Sequence, residues 1–332
     1  MSATPYPKIE LHVHLEATIR PERMLELARR NHVKLPARSV AGLERFCRFR
    51  GFDEFIVVWV KTTGVLCHGR DFRQIVVDYA AELAAQGCLY AEPLFSPSEP
   101  MLRGVAWQEV FDGYCDGAQE ARELYGVELR FTPDITRNFP PETGERLAEW
   151  AVRYRDRGVA GISLGGSEGR FPPAPFARAF AIAREGGLKA APHAGETAGP
   201  ASIRSALDDL HADRLRHGVR AVEDAALLAE LAERGVVCDV TPTSNLRTGV
   251  VRSLDEHPLP TMLAAGVKCS IGSDDPVLMQ TSLSADAAVA VRLGHTPRAM
   301  YEHALAGAFC DEPTRARLGA AGEAYDWGAA SA

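Results

Sequence analysis

Two histidines, His12 and His14, stand two residues apart in the segment Ile9-Glu10-Leu11-His12-Val13-His14-Leu15-Glu16. Alternate residues of an extended strand point to opposite faces, so His12, His14 and Glu16 would share one face and Leu11, Val13 and Leu15 the other. Two imidazoles aimed into one cavity suit a metal ion. Zinc in particular takes His nitrogens together with Asp or Glu oxygens, and a catalytic site keeps one position for water. An isolated His-x-His on a half-buried strand is ordinary, so the reading depends on ligands supplied elsewhere. Three later clusters offer them: His193-Ala194-Gly195-Glu196, His217-Gly218 and Ser273-Asp274-Asp275-Pro276.

The elements that would position these clusters can be read from apolar runs and breakers. Candidate strands are Ile9–Leu15, Leu89–Leu94, Glu128–Thr132, Val159–Leu164, Lys189–His193, Arg214–His217, Val236–Val240 and Val267–Ile271, separated by amphipathic helical segments. Eight such units predict an α/β fold of the (β/α)8 TIM-barrel type. A doubly wound sheet is the weaker alternative, because no Gly-x-Gly-x-x-Gly turn follows the first strand. In such a barrel, catalytic groups sit at the C-terminal ends of the strands and in the loops that follow, which is where all four polar clusters fall. Pro21 marks a helix start. The stretch from Val40 to Leu66 holds Phe46, Phe49, Phe52, Phe55 and Trp59, too many aromatics to leave in water. It is either a helical cap over the barrel mouth or an extra helix against the outer ring. The whole chain, 1–332, reads as one barrel domain with this insertion over about 21–75. Leu283 to Ala324 has helical periodicity, and Trp327 to Ala332 reads as a frayed end.

Bulk properties narrow the function classes. The chain has 332 residues, 46% of them hydrophobic and 24% charged, an ordinary globular composition. Lys plus Arg number 37 against 44 Asp plus Glu, a formal net charge of -7, and no basic run marks a phosphate-binding stripe, so nucleic acid is not an expected partner. Met1 to Lys8 lacks the pattern of a signal peptide, and Phe55 to Val60 is too short to span a bilayer, so a cytoplasmic protein without a membrane partner is expected. The 7 cysteines are scattered with no Cys-x-x-Cys pair and indicate neither a disulfide framework nor a thiolate metal site.

Taken together, Glu10 to Glu16, Ser163-Leu164-Gly165-Gly166-Ser167-Glu168, Pro192 to Glu196, His217-Gly218-Val219, Pro242-Thr243-Ser244-Asn245 and Ser273 to Pro276 resemble the adenosine deaminase family of zinc-dependent amidohydrolase barrels in order and rough spacing. The resemblance covers most of the chain. It implies one Zn2+ per chain, ligated by His12, His14, His193 and Asp274, and the ligand chemistry agrees: three neutral imidazoles and a carboxylate leave room for a water that can ionise near neutral pH and attack C6 of an adenine ring. Attack puts electron density on N1, which calls for a proton donor beside it. By similarity Glu196 is that donor, His217 orients and stabilises the attacking water, Asp275 meets the purine N7, and a backbone N–H near Gly166 meets N3. Glycine there would allow close approach, or serve a tight turn. Ala17, Arg216 and Thr241 depart from the family pattern. None is an expected ligand, and strand alternation should turn Arg216 away from the pocket.

The expected substrate is a small purine, and the favoured reaction is hydrolytic deamination of adenosine or 2′-deoxyadenosine. Glu16 stands where adenosine deaminases usually carry Asp, and the resemblance implies a contact to the ribose 5′-hydroxyl. The segment His14-Leu15-Glu16 with Thr18 is similar to free-adenine deaminases instead, whereas Pro242 to Asn245 and Gly166-Ser167-Glu168 look more like nucleoside deaminases; adenine is the alternative, as is a 5′-modified adenosine such as an aminofutalosine, which the longer Glu16 could reach. A catalytically dead metal-binding barrel is the non-enzymatic alternative; retention of Glu196 and His217 beside all four ligands argues against it. The His-x-Glu and Pro-Cys-x-x-Cys signature of cytidine-type deaminases is absent.

Overall fold

The computed structural model describes residues 5–328. Ten short strand segments run parallel: β1 Lys8–Glu10, β2 Cys88–Ala91, β3 Glu128–Leu129, β4 Asp134–Thr136, β5 Gly161–Gly165, β6 Lys189–Ala190, β7 His193–Ala194, β8 Arg214–His217, β9 Val237–Val240 and β10 Lys268–Ile271. They make eight barrel strands. Pro133 separates β3 from β4 and Pro192 separates β6 from β7, each at a point where the missing N–H interrupts the ladder. A Phe131–Val159 bridge carries the pairing past the first break. The first strand is shorter than expected. Regular pairing ends at Glu10, the backbone continues through bridges at Val13 and His14, and at Leu15 it turns into a 3-10 helix, Leu15–Thr18.

The barrel closes where Val13 pairs with Asp274: His14 N–H donates to Asp274 O at 2.8 Å and Asp274 N–H to His12 O at 3.0 Å. Closure excludes the doubly wound alternative, whose sheet would keep two free edges, and the architecture is a (β/α)8 barrel. The outward faces of the strands bury Val13, Leu129, Ile135, Ile162 and Leu164 against one arc of helices and Leu215, Cys238, Val240, Cys269 and Ile271 against the other. The helices Leu283–Arg292, Pro297–Gly307 and Glu312–Ala324 complete the ring, as their periodicity predicts. Trp327 does not fray. Its indole N–H donates to Gly322 O at 2.8 Å and its ring packs beside Tyr6, Tyr301 and Tyr325. Residues 329–332 lie outside the described residues.

Between Pro21 and Ala85 the chain forms the helices Pro21–Arg30, Val40–Phe46, Gly51–Thr63 and Gly69–Ala85. In Gly51–Thr63 the residues Phe52, Phe55, Ile56, Trp59 and Val60 fall at helical spacing and line the large cavity at the barrel mouth. This helix therefore roofs the mouth. Phe46 and Phe49 support it from behind, in a cluster with Ala17, Val58, Leu278 and Met279. No helix among the described residues is long and apolar enough to cross a membrane.

Below the mouth the barrel axis is charged. Arg214 on β8 sits 2.7 Å from Glu92 and 2.7 Å from Asp239, all fully buried. Arg216, two residues on, donates to Leu11 O and, at 2.6 Å, to Thr132 Oγ1. Arg216 is not on the cavity wall, but alternation does not turn it outward as expected: it shares the inward face with Arg214, opposite Leu215, and points to the axis beneath the mouth. Removing one partner of a buried charge cluster leaves the others uncompensated, so Arg214→Ala should destabilise the fold by about 3–5 kcal/mol. Urea denaturation checks this, and an unchanged midpoint would show that the charges contribute nothing.

Candidate metal centre and active site

His12, His14, His193 and Asp274 converge at the C-terminal end of the barrel, with one candidate ligand atom from each lying within 4.8 Å of the others. The Nε2 of His193 lies 3.3 Å from Nε2 of His12 and 3.3 Å from Nε2 of His14, and Oδ1 of Asp274 lies 3.3 Å and 3.5 Å from the same two nitrogens. Bonds of about 2.0–2.1 Å from a central zinc would set tetrahedral donors about 3.3–3.4 Å apart, so these spacings fit that ion. Burial disfavours the charged form of His14, pushed down to about 3, and of His193, held well below its ordinary range, which leaves their lone pairs for a metal. The opposite nitrogens are held from behind. His12 Nδ1 lies 3.0 Å from Asp239 O, and His193 Nδ1 lies 3.3 Å from Ser163 Oγ, contacts that fix which nitrogen faces inward.

Two of these positions need unusual backbone. Asp274 has φ +59° and His217 φ +62°, left-handed values that non-glycine residues adopt at a cost of about 1–3 kcal/mol. For His217 the turn reverses strand alternation: Leu215 points out to the helices, yet His217 swings back over the mouth. Its Nε2 lies 3.6 Å from Glu196 Oε2 and 3.9 Å from Asp274 Oδ2. Its Nδ1 meets Asn245 Nδ2 at 3.3 Å and Thr241 Oγ1 at 3.2 Å. The amide nitrogen can only donate, which assigns the imidazole proton to Nε2, the side facing Glu196 and Asp274.

The carboxyls divide into two kinds. Burial opposes ionisation of Asp274, but His12, His217 and His14 beside it hold it well below the usual range. Burial and the charge of Asp274 push its neighbour Asp275 well above that range, and burial with Asp274 and Glu168 does the same for Glu196. The mouth thus pairs one carboxyl held towards the ionised form with two held towards the protonated form, the division that acid and base roles require.

A cavity of about 450 Å³ opens over this cluster, walled by His14, His193, Glu196, His217, Asp274, Asp275 and Gly166 below and by the aromatic helix above. Gly166 has φ +99°, and a Cβ there would lie 2.5 Å from Asn138 Oδ1, so both the turn and the close approach require glycine. Of the residues singled out from the sequence, the structure brings all but Glu16 to the cluster or its wall. Glu16 belongs to the 3-10 turn, not to the strand, and its Oε1 accepts from Ser96 N–H at 2.7 Å and Tyr114 O–H at 3.1 Å. It lies behind the wall that Ser96 forms, and burial pushes it up to about 7. Sequence reasoning missed Ser163, Asp239, Thr241 and Asn245, which hold imidazoles from behind. Ser163 and Asn245 stood in motifs that carry the resemblance and Thr241 was a noted departure, but none had an assigned role, and nothing signalled Asp239.

The comparisons agree with this geometry. The family model described as "Adenosine deaminase" matches residues 7–321. An aminodeoxyfutalosine deaminase of Acidothermus cellulolyticus is 45% identical over 98% of this chain and 94% of its own length. Among solved structures, an adenine deaminase from Arthrobacter aurescens superposes with a TM-score of 0.91 at 28% identity, covering 96% of this chain and 98% of that one. An amidohydrolase from Burkhoderia ambifaria with bound zinc superposes at 0.88 with 27% identity, covering 96% and 90%. With the metal-type cluster, the barrel and the family match over nearly its whole length, this chain belongs to the adenosine deaminase family, whose members are hydrolases that release the amino group of adenine-type substrates.

Proposed function

We propose that the chain hydrolyses the C6–amino bond of an adenine nucleoside, using one zinc ion held by His12, His14, His193 and Asp274. Such an ion supplies a water that is acidic near neutral pH. The chain's own groups do the rest. His217, with its proton on Nε2, orients the attacking water towards C6. Glu196 delivers its proton to N1 as the C–O bond forms and the ring electrons move there; its carboxylate then takes the proton of the newly added hydroxyl and passes it to the amino group, so that ammonia leaves as the C–N bond breaks and C6=O forms, and the proton the water lost on ionising restores the acid. Protonated Asp275 shares its hydrogen with N7, and the Gly166 N–H meets N3. The observation that carries this reading is the buried acid Glu196 standing 3.6 Å from His217 beside a four-donor metal-type cluster.

The cavity supports a substrate larger than a bare purine. Its 450 Å³ falls in the range of drug-sized ligand sites, and the stripe Phe52, Phe55, Ile56, Trp59 continues the wall well beyond a bare purine. This supports an adenine nucleoside extended at its 5′ end, and the 45% identity to the Acidothermus cellulolyticus aminodeoxyfutalosine deaminase supports the same choice. Adenosine and 2′-deoxyadenosine are smaller members of that class. The second reading is free adenine: the Arthrobacter aurescens adenine deaminase favours it, as does Glu16, whose place behind the wall takes away the expected sugar contact.

Metal analysis of the purified protein should find about one zinc per chain, and His193→Ala should lose both metal and activity; a fully active metal-free enzyme sinks the reading. Glu196→Gln should retain zinc while kcat falls by about 10²-fold or more. Because the pKa of Glu196 is raised and the acid form is the one needed, wild-type kcat should fall as pH climbs through that raised value. A rate that rises steadily into alkaline solution would contradict the assignment. For the substrate, kcat/KM should rank 5′-extended adenosine above adenosine and 2′-deoxyadenosine, with adenine last, and Trp59→Ala should raise KM for the extended compound by about tenfold while zinc remains. A wild-type preference for adenine makes the second reading correct.

A further inference from the structure

The motif from Ser163 to Glu168 ends in a buried carboxylate to which the mechanism above gives no role. Glu168 touches the segment that carries the acid. Its Oε1 accepts from Gly195 N–H at 2.6 Å and Ser202 O–H at 2.6 Å, and its Oε2 accepts from the N–H groups of Glu196 at 3.1 Å, Thr197 at 2.7 Å and Ala198 at 2.9 Å. Every partner is a donor, the pattern of an ionised carboxylate, and four consecutive N–H groups turned to one anion form a nest. Helix capping does not account for it. The helix Pro200–Asp208 begins after Gly199, so the four amides that Glu168 takes all precede it.

The other end of the segment is held from the same side. Arg137, fully buried, donates to His193 O at 2.7 Å and to Leu164 O, Gly165 O and Phe171 O at 3.0, 3.3 and 3.0 Å. Residues 193–198 therefore hang between Glu168, on the loop after β5 that also carries Gly166, and Arg137, which follows β4 and is itself bonded to β5 and that loop. Gly195, at φ +73°, lets the backbone fold into the nest, and a Cβ there would lie 2.4 Å from Ile203 Cδ1.

We propose that Glu168 is a positioning residue: by gripping the amides of residues 195–198 it sets where the Glu196 carboxyl stands relative to the purine edge that meets the Gly166 loop. This rests on the proposed deaminase reading. A glutamine at 168 can keep its amide oxygen at the Oε2 position, with three N–H contacts, but its NH2 faces Gly195 N–H donor to donor, and the charge is gone. Alanine removes every contact.

The test is a double-mutant cycle on the zinc-loaded protein, with the best adenine compound as substrate. Glu168→Gln should retain metal and a KM within about threefold of wild type while kcat falls about tenfold, and Glu168→Ala should fall further. In a Glu196→Gln background, Glu168→Gln should lower kcat by less than about twofold more, because a residue that acts through another has nothing left to position. Amide hydrogen exchange gives a readout independent of turnover: in Glu168→Gln it should accelerate at residues 195–198 and not elsewhere. Should the alanine variant fail to fold, the glutamine variant and its cycle decide alone. Equal loss in both backgrounds, or wild-type kcat in Glu168→Gln, overturns the proposal alone. A wild-type chain that deaminates no adenine compound overturns the functional reading and the proposal with it.

Discussion

The seam that closes the barrel is also the floor of the active site. His14 N–H and Asp274 O, and Asp274 N–H and His12 O, are hydrogen-bonded across the first and last strands, so three of the four metal-type ligands stand on two segments that are far apart in the chain and paired in space. Backbone pairing sets the separation of their side chains more tightly than packing alone could, because a ladder hydrogen bond tolerates only a few tenths of an ångström. The left-handed backbone at Asp274 is held by the same pair of bonds. Any change that loosens the seam would therefore disperse the ligands before it unfolded the barrel.

Charge is layered along the barrel axis. Lowest is the salt-bridged cluster of Arg214, Glu92 and Asp239; above it lies Arg216 on backbone and hydroxyl acceptors; at the top come the imidazoles, Asp274 held towards its ionised form, and Asp275 and Glu196 held towards their protonated forms. Asp239 joins the layers, since its carboxylate pairs with Arg214 and accepts from Ser270 Oγ while its carbonyl meets His12 Nδ1. A barrel with ions at its base cannot repack freely around the ligands, because each shift would uncover a buried charge.

Over this rigid floor the roof is of a different kind. The helix Gly51–Thr63 turns an apolar stripe to the cavity, supported by side-chain packing against Met279, Leu278 and Ala17 and not by backbone pairing. Chemistry is thus held by the barrel and its loops, and the volume available to the rest of the substrate by a helix that few polar contacts fix. Differences in substrate among members of one family are easier to build into such a roof than into the floor.

By itself the sequence determined which residue types could do chemistry and that they fall at strand ends, because His, Asp and Glu at breaks in apolar runs are visible without coordinates. It also determined the eight α/β units and the helical segment Leu283 to Ala324. The tertiary structure decided what local alternation could not. Alternation assumes continued strand, and it failed at Glu16, where a 3-10 turn carries the carboxylate behind the wall, and at His217, where a positive φ swings the ring back over the mouth. The same stripe of Phe52, Phe55 and Trp59 would serve a cap or an outer helix equally well, and only its neighbours show which. Glu168 stood in a recognisable motif, yet its grip on residues 195–198 is a contact between loops far apart in the chain, set by the order in which the barrel brings its strands together.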